Sequence, residues 1–265
     1  MYDTDPSTVI SLALLVAGYL GVALWLRRRP TDKQLFAFAA GVATFAAALI
    51  GPLNRFTHER SFAIYIFQQM IVVFVAPPLL LAGTPDWMLR PFLLNRYFEP
   101  VGRLLTRPLF AFLFFASIFT LVHYPWVCDR VCHIHPIYGD VHTVLLFTGL
   151  LLWFPLLSPL PEYPRLPYPL QILYIFLLMI PMTAVAAPIT MAESVVYSYY
   201  VGGTHPFGLS PRADQVLGGL IMWIGQGVYL MFVFSAIFFR WASREDEEIP
   251  PINRVPLVTQ SARSA

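Results

Sequence analysis

Seven apolar segments follow one another along the sequence, each close to the length that a helix needs to cross a lipid bilayer. A transmembrane helix requires about 20 mostly apolar residues, and the segments are 8–26, 35–53, 62–83, 109–124, 142–158, 169–189 and 216–239. Apolar residues make up 57% of the chain and charged residues only 12%, which argues against a water-soluble domain. The sequence therefore predicts an all-α membrane protein, a seven-transmembrane helix bundle over residues 1–243.

Basic residues are divided unequally between the two ends of these segments. When the connections are assigned to alternate sides, four of the 17 Lys and Arg residues fall on one side, and the other thirteen fall on the opposite side. Because cytoplasmic connections retain the positive excess, this distribution predicts an amino terminus outside and a carboxy terminus in the cytoplasm. The tail over 244–265 is charged and then contains Pro, Ser and Thr, which predicts a disordered cytoplasmic segment.

The composition and the motifs exclude several classes of function. A formal net charge of +2 is too small to indicate a nucleic-acid partner, so the lipid bilayer is the expected environment. The sequence contains no glycine-rich phosphate loop, nucleophile elbow or paired buried carboxylates, so we expect no enzymatic activity. It also has no charged pair in mid-membrane of the kind that carries a transported ion.

Histidine and cysteine occur only in the predicted outer connections or at outer helix ends. These residues are His58, His123, His133, His135, His142, His205, Cys128 and Cys132. The cytoplasmic connections are long and receive none of them. This asymmetry predicts that the functional face lies outside.

The densest group of possible metal ligands lies between the fourth and fifth segments. It consists of His123, Cys128, Cys132, His133, His135 and His142. Thiolate and imidazole are donors that Cu(I) and Zn(II) prefer, so one interpretation is a copper site that uses the thiolates. The Cys-x3-Cys spacing can also close a disulfide in an oxidising periplasm, and a third interpretation is a set of unrelated surface residues.

Two histidines of this group lie nearer the bilayer than its other members, and two glutamines lie within the third segment. His123 and His142 flank the connection, so a helical hairpin can bring them together, although one hydrogen bond would explain either residue. Gln68 and Gln69 lie about two turns into the third segment, where a polar side chain needs a partner. Interhelical hydrogen bonds would be sufficient for both.

The seventh segment begins with a pattern that is typical of a helix amino terminus. Ser210 is placed as the N-cap, with Pro211 at the first helical position. Asp214 then lies in the first turn, where the helix dipole favours a carboxylate. Met222 follows and, with Met70 of the third segment, offers a thioether that Cu(I) accepts, although methionine in an apolar helix usually fills the core.

Several stretches together resemble the CtaG family of cytochrome c oxidase assembly proteins. The likeness covers about 62–240. The stretches that carry it are Gln69-Met70 with Pro77-Pro78, His123-Tyr-Pro, His142 with Trp153-Phe-Pro, and Asp214-Gln215-Val-Leu-Gly218-Gly219-Leu-Ile-Met222-Trp223. The resemblance implies a protein of a bacterial inner (plasma) membrane that helps to mature a haem-copper oxidase, has oxidase subunits as partners and handles copper near the outer face.

One position departs from the family pattern. Where its members usually have a histidine before the methionine of the third helix, this chain has Gln69. Glutamine is a poor copper ligand, so either the metal role is lost or the cysteine-containing connection has taken it over. Two functions follow: an assembly factor that delivers copper, or a non-catalytic structural subunit of a respiratory oxidase without metal. His123, His142 and the Asp214-Gln215 pair favour the assembly factor.

Overall fold

The computed structural model describes residues 6–51, 53, 60–133, 135–203 and 208–248, apart from the side chains at 131–139 and 245–248. Helices dominate this part of the chain, and it contains no β-strand. The longer helices are α1 (Pro6–Trp25), α2 (Asp32–Leu49), α3 (Phe62–Gly83), α6 (Pro108–His123), α8 (His135–Leu157) and α9 (Tyr168–Met191). The shorter helices are α4 (Asp86–Leu93), α5 (Glu99–Leu105) and α7 (Pro125–His133).

The last helix, α10, begins with Pro211–Leu220, continues through a π turn at Ile221–Gly225 and ends with Gln226–Glu248. It is longer at both ends than the segment 216–239 that hydropathy predicts. Likewise α8 begins seven residues before the segment 142–158. Hydropathy detects only the part of a helix that lies in hydrocarbon, so polar turns that continue the helix into the interface escape it.

The apolar helices confirm a multi-pass membrane protein. Among the described residues, five helices are long and apolar enough to cross a bilayer, and a sixth span results if α5 and α6, which meet at 68°, are counted as one. The remaining predicted span is α2, which has 18 residues and a polar first turn, Asp32-Lys33-Gln34. The count of seven spans stays a prediction because of this helix.

Helix α3 lies at the centre of the bundle, with α2, α8 and α10 packed around it. Small residues allow the close approach of α2. A Cβ atom at Gly41 would lie 2.8 Å from Leu80, and one at Gly83 would lie 2.3 Å from the backbone nitrogen of Phe38. The tight α2–α3 contact therefore depends on residues without side chains, as in other membrane bundles.

A π turn at Ile71–Val75 interrupts α3 just before Pro77 and Pro78. Neither proline has an N–H, so neither can donate to the carbonyl four residues earlier, at Val73 and Phe74. Side chains of the neighbouring helices donate instead: Trp153 Nε1 of α8 to Val73 O (3.0 Å) and the Tyr229 hydroxyl of α10 to Phe74 O (2.5 Å). The two prolines therefore fix where α8 and α10 contact α3, because hydrocarbon offers no water to those carbonyls.

The connections between helices gather at two opposite ends of the bundle. At one end, Arg90 of α4 forms an ion pair with Glu162 (3.2 Å), and the Tyr163 hydroxyl donates to Leu93 O (2.7 Å). At the other end, Asp129 of α7 accepts hydrogen bonds from the connection between α9 and α10. Helices α4 and α5 lie at the first end.

Candidate functional site

Asp214 is a buried carboxylate that caps the start of the central helix. It is 1% exposed and accepts hydrogen bonds from Ser61 Oγ (2.8 Å) and from the backbone nitrogens of Phe62 (2.6 Å) and Ala63 (3.4 Å). These N–H groups are among those that α3 cannot pair within itself. Ser210 caps α10 itself by accepting from Ala213 N (3.2 Å), as predicted, so Asp214 is available to α3.

Gln215 holds the connection that follows α9. Its Oε1 accepts from Val196 N (2.6 Å), and its Nε2 lies 3.2 Å from Ile189 O and 3.3 Å from Ser194 O, to which it donates. All the hydrogen-bonding groups of this amide are therefore used within the protein.

The two glycines that follow allow close helix contacts on either side of α10. A Cβ atom at Gly218 would lie 2.5 Å from the Phe62 ring, and one at Gly219 would lie 2.2 Å from Thr190 Oγ1 and 3.2 Å from Thr190 Cα. The Asp-Gln-x-x-Gly-Gly signature thus joins α10 to α3 on one face and to α9 on the other. Its polar atoms are occupied by these structural contacts.

His123 ends α6 and presents a lone pair inside the protein. It is 3% exposed, and its Nδ1 lies 2.7 Å from Phe119 O. A carbonyl can only accept, so Nδ1 carries the proton in the neutral ring and Nε2 carries the lone pair. That Nε2 is buried and has no hydrogen-bond partner among the described residues. Metal-binding histidines have this arrangement, in which one ring nitrogen is oriented by a carbonyl and the other is directed at the ion.

His142 is fully buried in α8 and faces α3. The edge of its ring meets the ring of Tyr65 with 5.7 Å between centroids. Two turns further along both helices, a Cβ atom at Gly149 would lie 3.2 Å from Val73 O. The two helices therefore run parallel in register, with Tyr65 beside His142 and Val73 beside Gly149.

Gln69 lies midway between these two contacts. Residues four apart share a helix face, so Gln69 is on the same face as Tyr65 and Val73 and is directed at α8. Long helical side chains lean toward the amino terminus of their own helix, which brings the amide of Gln69 toward the level of His142. Gln69 is fully buried, and neither its Nε2 nor its Oε1 has a hydrogen-bond partner among the described residues.

The neighbouring Gln68 is also buried in α3, but its side-chain amide has a hydrogen-bond partner. Its Nε2 donates to Ala48 O of α2 at 2.7 Å, which confirms the predicted interhelical hydrogen bond for this residue. For Gln69 no such bond is present in the described part of the chain. Leaving a buried polar group unsatisfied costs about 1–3 kcal/mol, so Gln69 requires an explanation other than stability.

Aromatic side chains lie beside both histidines at this end of the bundle. The Tyr197 hydroxyl donates to His123 O (2.9 Å), and its ring stacks on Phe62 at 4.9 Å. Tyr200 lies 6.3 Å from both Tyr197 and Tyr65, between ring centroids. A hydrogen bond to the His123 backbone, followed by ring contacts from Tyr197 through Tyr200 and Tyr65, thus connects His123 with His142. Sequence analysis did not identify these tyrosines, although Tyr65 lies one turn before Gln69.

The cysteine-containing connection is helical rather than an extended loop. Cys128 lies on α7 and is 1% exposed, so its sulfur belongs to the core. Asp129 holds α7 against Ser198 and Tyr199, accepting from Ser198 Oγ at 2.9 Å. The side chains of Cys132, His133 and His135 lie outside the described residues. A disulfide and a thiolate copper site therefore both stay predictions.

The described residues contain no group of three His, Cys, Asp or Glu side chains that could hold a metal ion. The donors that the described residues offer near this end are the imidazoles of the two buried histidines and the thioethers of methionines. Met222 is fully buried in the π turn of α10, which packs against the first half of α3, and Met70 follows Gln69 directly. Any metal held here by described residues would have to be bound through the histidines with few other strong ligands.

These features define a multi-pass membrane protein with two buried histidines near one end of its bundle. Residues 17–244 match the cytochrome c oxidase caa3 assembly factor family (Caa3_CtaG). The chain belongs to this family, and the resemblance found in the sequence is confirmed.

The curated relatives are uncharacterized proteins of mycobacteria. One from Mycobacterium bovis and one from Mycobacterium tuberculosis are each 26% identical over 256 residues, which is 89% of this chain and 38% of the relative. One from Mycobacterium leprae is 23% identical over 81% of this chain and 33% of its own length. The chain thus spans about a third of the length of the curated relatives it matches. No solved structure matches it.

The glycine contacts of α10 predict opposite effects at two positions of one helix. Gly219→Ala should lower the free energy of unfolding by about 1–3 kcal/mol, because the new methyl group collides with Thr190 on α9. Gly227→Ala meets only the Met179 methyl group at 3.6 Å and should raise stability by about 0.5–1 kcal/mol. Unfolding of the detergent-purified variants measures both. Equal effects at the two positions would contradict the architectural role of the signature.

Proposed function

We propose that this protein is an assembly factor for a haem-copper cytochrome c oxidase and that it binds copper at the outer end of its bundle before passing it to an oxidase subunit. Its family supports the oxidase assembly role. The observation that carries the copper role is His123, whose protonated Nδ1 is fixed by Phe119 O while its buried Nε2 keeps an unused lone pair. A histidine that only filled space would gain nothing from burying that atom.

The donors available at this end of the bundle suit Cu(I). Imidazole binds copper, and the thioethers of Met70 and Met222 are soft ligands that favour Cu(I) over harder ions. A water-excluding aromatic layer formed by Tyr65, Tyr197 and Tyr200 would protect the reduced ion. In this proposal copper is cargo that must be released to a partner. Release requires that this site have a lower affinity for Cu(I) than the accepting subunit, and an incomplete ligand set gives that lower affinity.

The predicted orientation of the chain agrees with this task. For the seven predicted spans, the basic excess predicts an amino terminus outside and histidines on the outer side, and the family resemblance implies a bacterial inner membrane. In a Cys128→Ser/Cys132→Ser background, a membrane-impermeant maleimide should label Val201→Cys, which lies on an exposed outer connection, in intact cells. It should label the exposed Asn95→Cys only after the cells are opened. The reverse pattern would refute the orientation.

A metal-free structural subunit is the alternative function. The observation that favours it is the use of Asp214, Gln215, Gly218 and Gly219 in internal packing, which leaves the family signature without a chemical task. The two functions differ in what they require of the histidines, since a structural subunit needs their shape and a copper carrier needs their nitrogen atoms.

Histidine substitutions separate these functions. We expect purified, reduced wild-type protein to bind one Cu(I) per chain, and His123→Ala, His142→Ala and the double variant to lose copper binding and oxidase maturation to the same extent. Two ligands of one ion act as a unit, so their losses are not additive. Competition with a chromogenic Cu(I) chelator and oxidase activity in membranes are the measurements.

His123→Phe is the packing control for this experiment. A phenyl ring fills a similar space beside Phe119, whose ring centroid lies 4.3 Å from that of His123, and lacks only the nitrogen atoms. Protein that is folded but cannot bind copper or mature the oxidase supports the carrier. Protein that matures the oxidase normally would leave the structural subunit as the better function.

Gln69 offers a second test with a matched control. Gln69→His should raise the affinity for Cu(I) about tenfold or more, which corresponds to about 1.4 kcal/mol, because imidazole replaces a poor ligand. Gln69→Leu should stabilise the metal-free protein by about 1–3 kcal/mol, since it removes buried unsatisfied atoms. Gln68→Leu should destabilise it instead, because Ala48 O loses its donor. Chelator competition and unfolding in detergent measure these effects. Loss of stability in Gln69→Leu would show that the glutamine is paired and is not part of an open site.

A further inference from the structure

A cavity lies at the opposite end of the bundle from the histidines. It has a volume of about 420 Å³ and lies between the end of α8, the start of α9 and the last turns of α10. Trp153, Val233 and Ile237 form part of its apolar wall, and Arg165, Arg240 and Arg244 line it as well. The distribution of basic residues predicts that this end faces the cytoplasm.

Apolar and basic groups are separated along the axis of α10 within this cavity. Val233, Ile237, Arg240 and Arg244 are spaced by three or four residues and therefore share one face of the helix. At 1.5 Å per residue, the series extends over roughly 16 Å from the apolar end to the last arginine. An occupant that matched this wall would have hydrocarbon at one end and negative charge at the other.

The three arginines have no acidic partner among the described residues. None of them forms an ion pair there, and no described Asp or Glu side chain lines the cavity. Arg165 Nε donates to Ser158 O at 2.9 Å, and the guanidinium of Arg244 lies 5.3 Å from the centre of the Tyr168 ring. These contacts orient the side chains without neutralising them. A single guanidinium group can donate two parallel hydrogen bonds to two oxygens of one phosphate. A phosphate therefore fits both the charge and the geometry of these arginines.

We propose that this cavity binds an anionic phospholipid of the cytoplasmic leaflet. The phosphate lies among Arg165, Arg240 and Arg244, and an acyl chain runs along Trp153, Val233 and Ile237. Basic pockets between transmembrane helices on the cytoplasmic side are suited to anionic head groups. Because Arg165 belongs to the α8–α9 connection and the other two belong to α10, the lipid joins parts of the chain that no described ion pair connects. The site is separate from the copper site and does not depend on it.

Binding of phosphatidylglycerol to the full-length, detergent-purified protein tests this proposal. Phosphatidylcholine with the same acyl chains serves as the neutral lipid, and glycerol 3-phosphate serves as the soluble phosphate. Native mass spectrometry measures the bound lipid, and thermal unfolding measures its effect. We expect the wild type to prefer phosphatidylglycerol, and the Arg165→Gln/Arg240→Gln/Arg244→Gln variant to bind it roughly 100-fold more weakly, since each arginine near the surface contributes about fivefold.

The control is a triple substitution of the same charge on the same predicted side. Arg27→Gln/Arg28→Gln/Arg29→Gln removes three exposed arginines that do not line the cavity, and it should leave the preference for phosphatidylglycerol intact. Equal losses in the two triple variants would reduce the effect to diffuse surface charge and overturn the proposal. Glycerol 3-phosphate that stabilised the protein as strongly as the lipid would replace the lipid site with a phosphate site.

Ala236→Phe provides an independent variant if the cavity triple does not fold. Ala236 also lines the cavity, so a phenyl ring there occupies the space for the acyl chain and leaves all three arginines in place. We expect this variant to lose the preference for phosphatidylglycerol. Unchanged lipid binding would show that the acyl chain lies elsewhere and would overturn the proposal.

Discussion

Helix α3 carries backbone polar groups that it cannot pair within itself, and the neighbouring helices are placed so that they pair them. Asp214 of α10 accepts hydrogen bonds from the first N–H groups of α3. Trp153 and Tyr229 donate hydrogen bonds to the carbonyls that Pro77 and Pro78 leave unpaired. Hydrocarbon supplies no water to such groups, so each of these contacts is required rather than optional. The packing of α8 and α10 around α3 follows from them.

Because these contacts pair the open backbone groups of α3, buried polar atoms that stay without a partner are informative. Among the described residues, the buried side-chain atoms without a hydrogen-bond partner include both polar atoms of Gln69 and Nε2 of His123, and also Oε1 of Gln226 and Oε2 of Glu162. Proteins depart from complete pairing mainly where function requires it. Gln69 lies on α3 itself, and His123 ends α6 beside Tyr197. A cargo ion would complete the hydrogen-bonding and coordination of groups that the fold leaves open.

The two ends of the bundle differ in their chemistry. The end with the histidines combines imidazole, thioether and aromatic rings, which suits a soft cation in a dry site. The opposite end combines arginine with apolar walls, which suits an anionic amphiphile. The same helices, α8 and α10, extend from one end to the other. Lipid bound at the arginine end would therefore stabilise the helices that carry His142 and Met222 without contacting the proposed copper site.

Much of the fold can be predicted from the sequence, because apolar length, the basic excess and helix capping are local properties. Apolar length and capping yielded the helices and the N-cap at Ser210, and the resemblance of several short motifs yielded the family, whereas helix ends in the interface and the helical form of α7 were not predicted. Pairing between distant residues is not local. Only the tertiary structure shows that Asp214 caps α3 instead of serving its own helix alone, and that adjacent Gln68 and Gln69 have opposite surroundings. Side chains that follow each other on a helix point in different directions, so their partners depend on which neighbouring helix lies on each side.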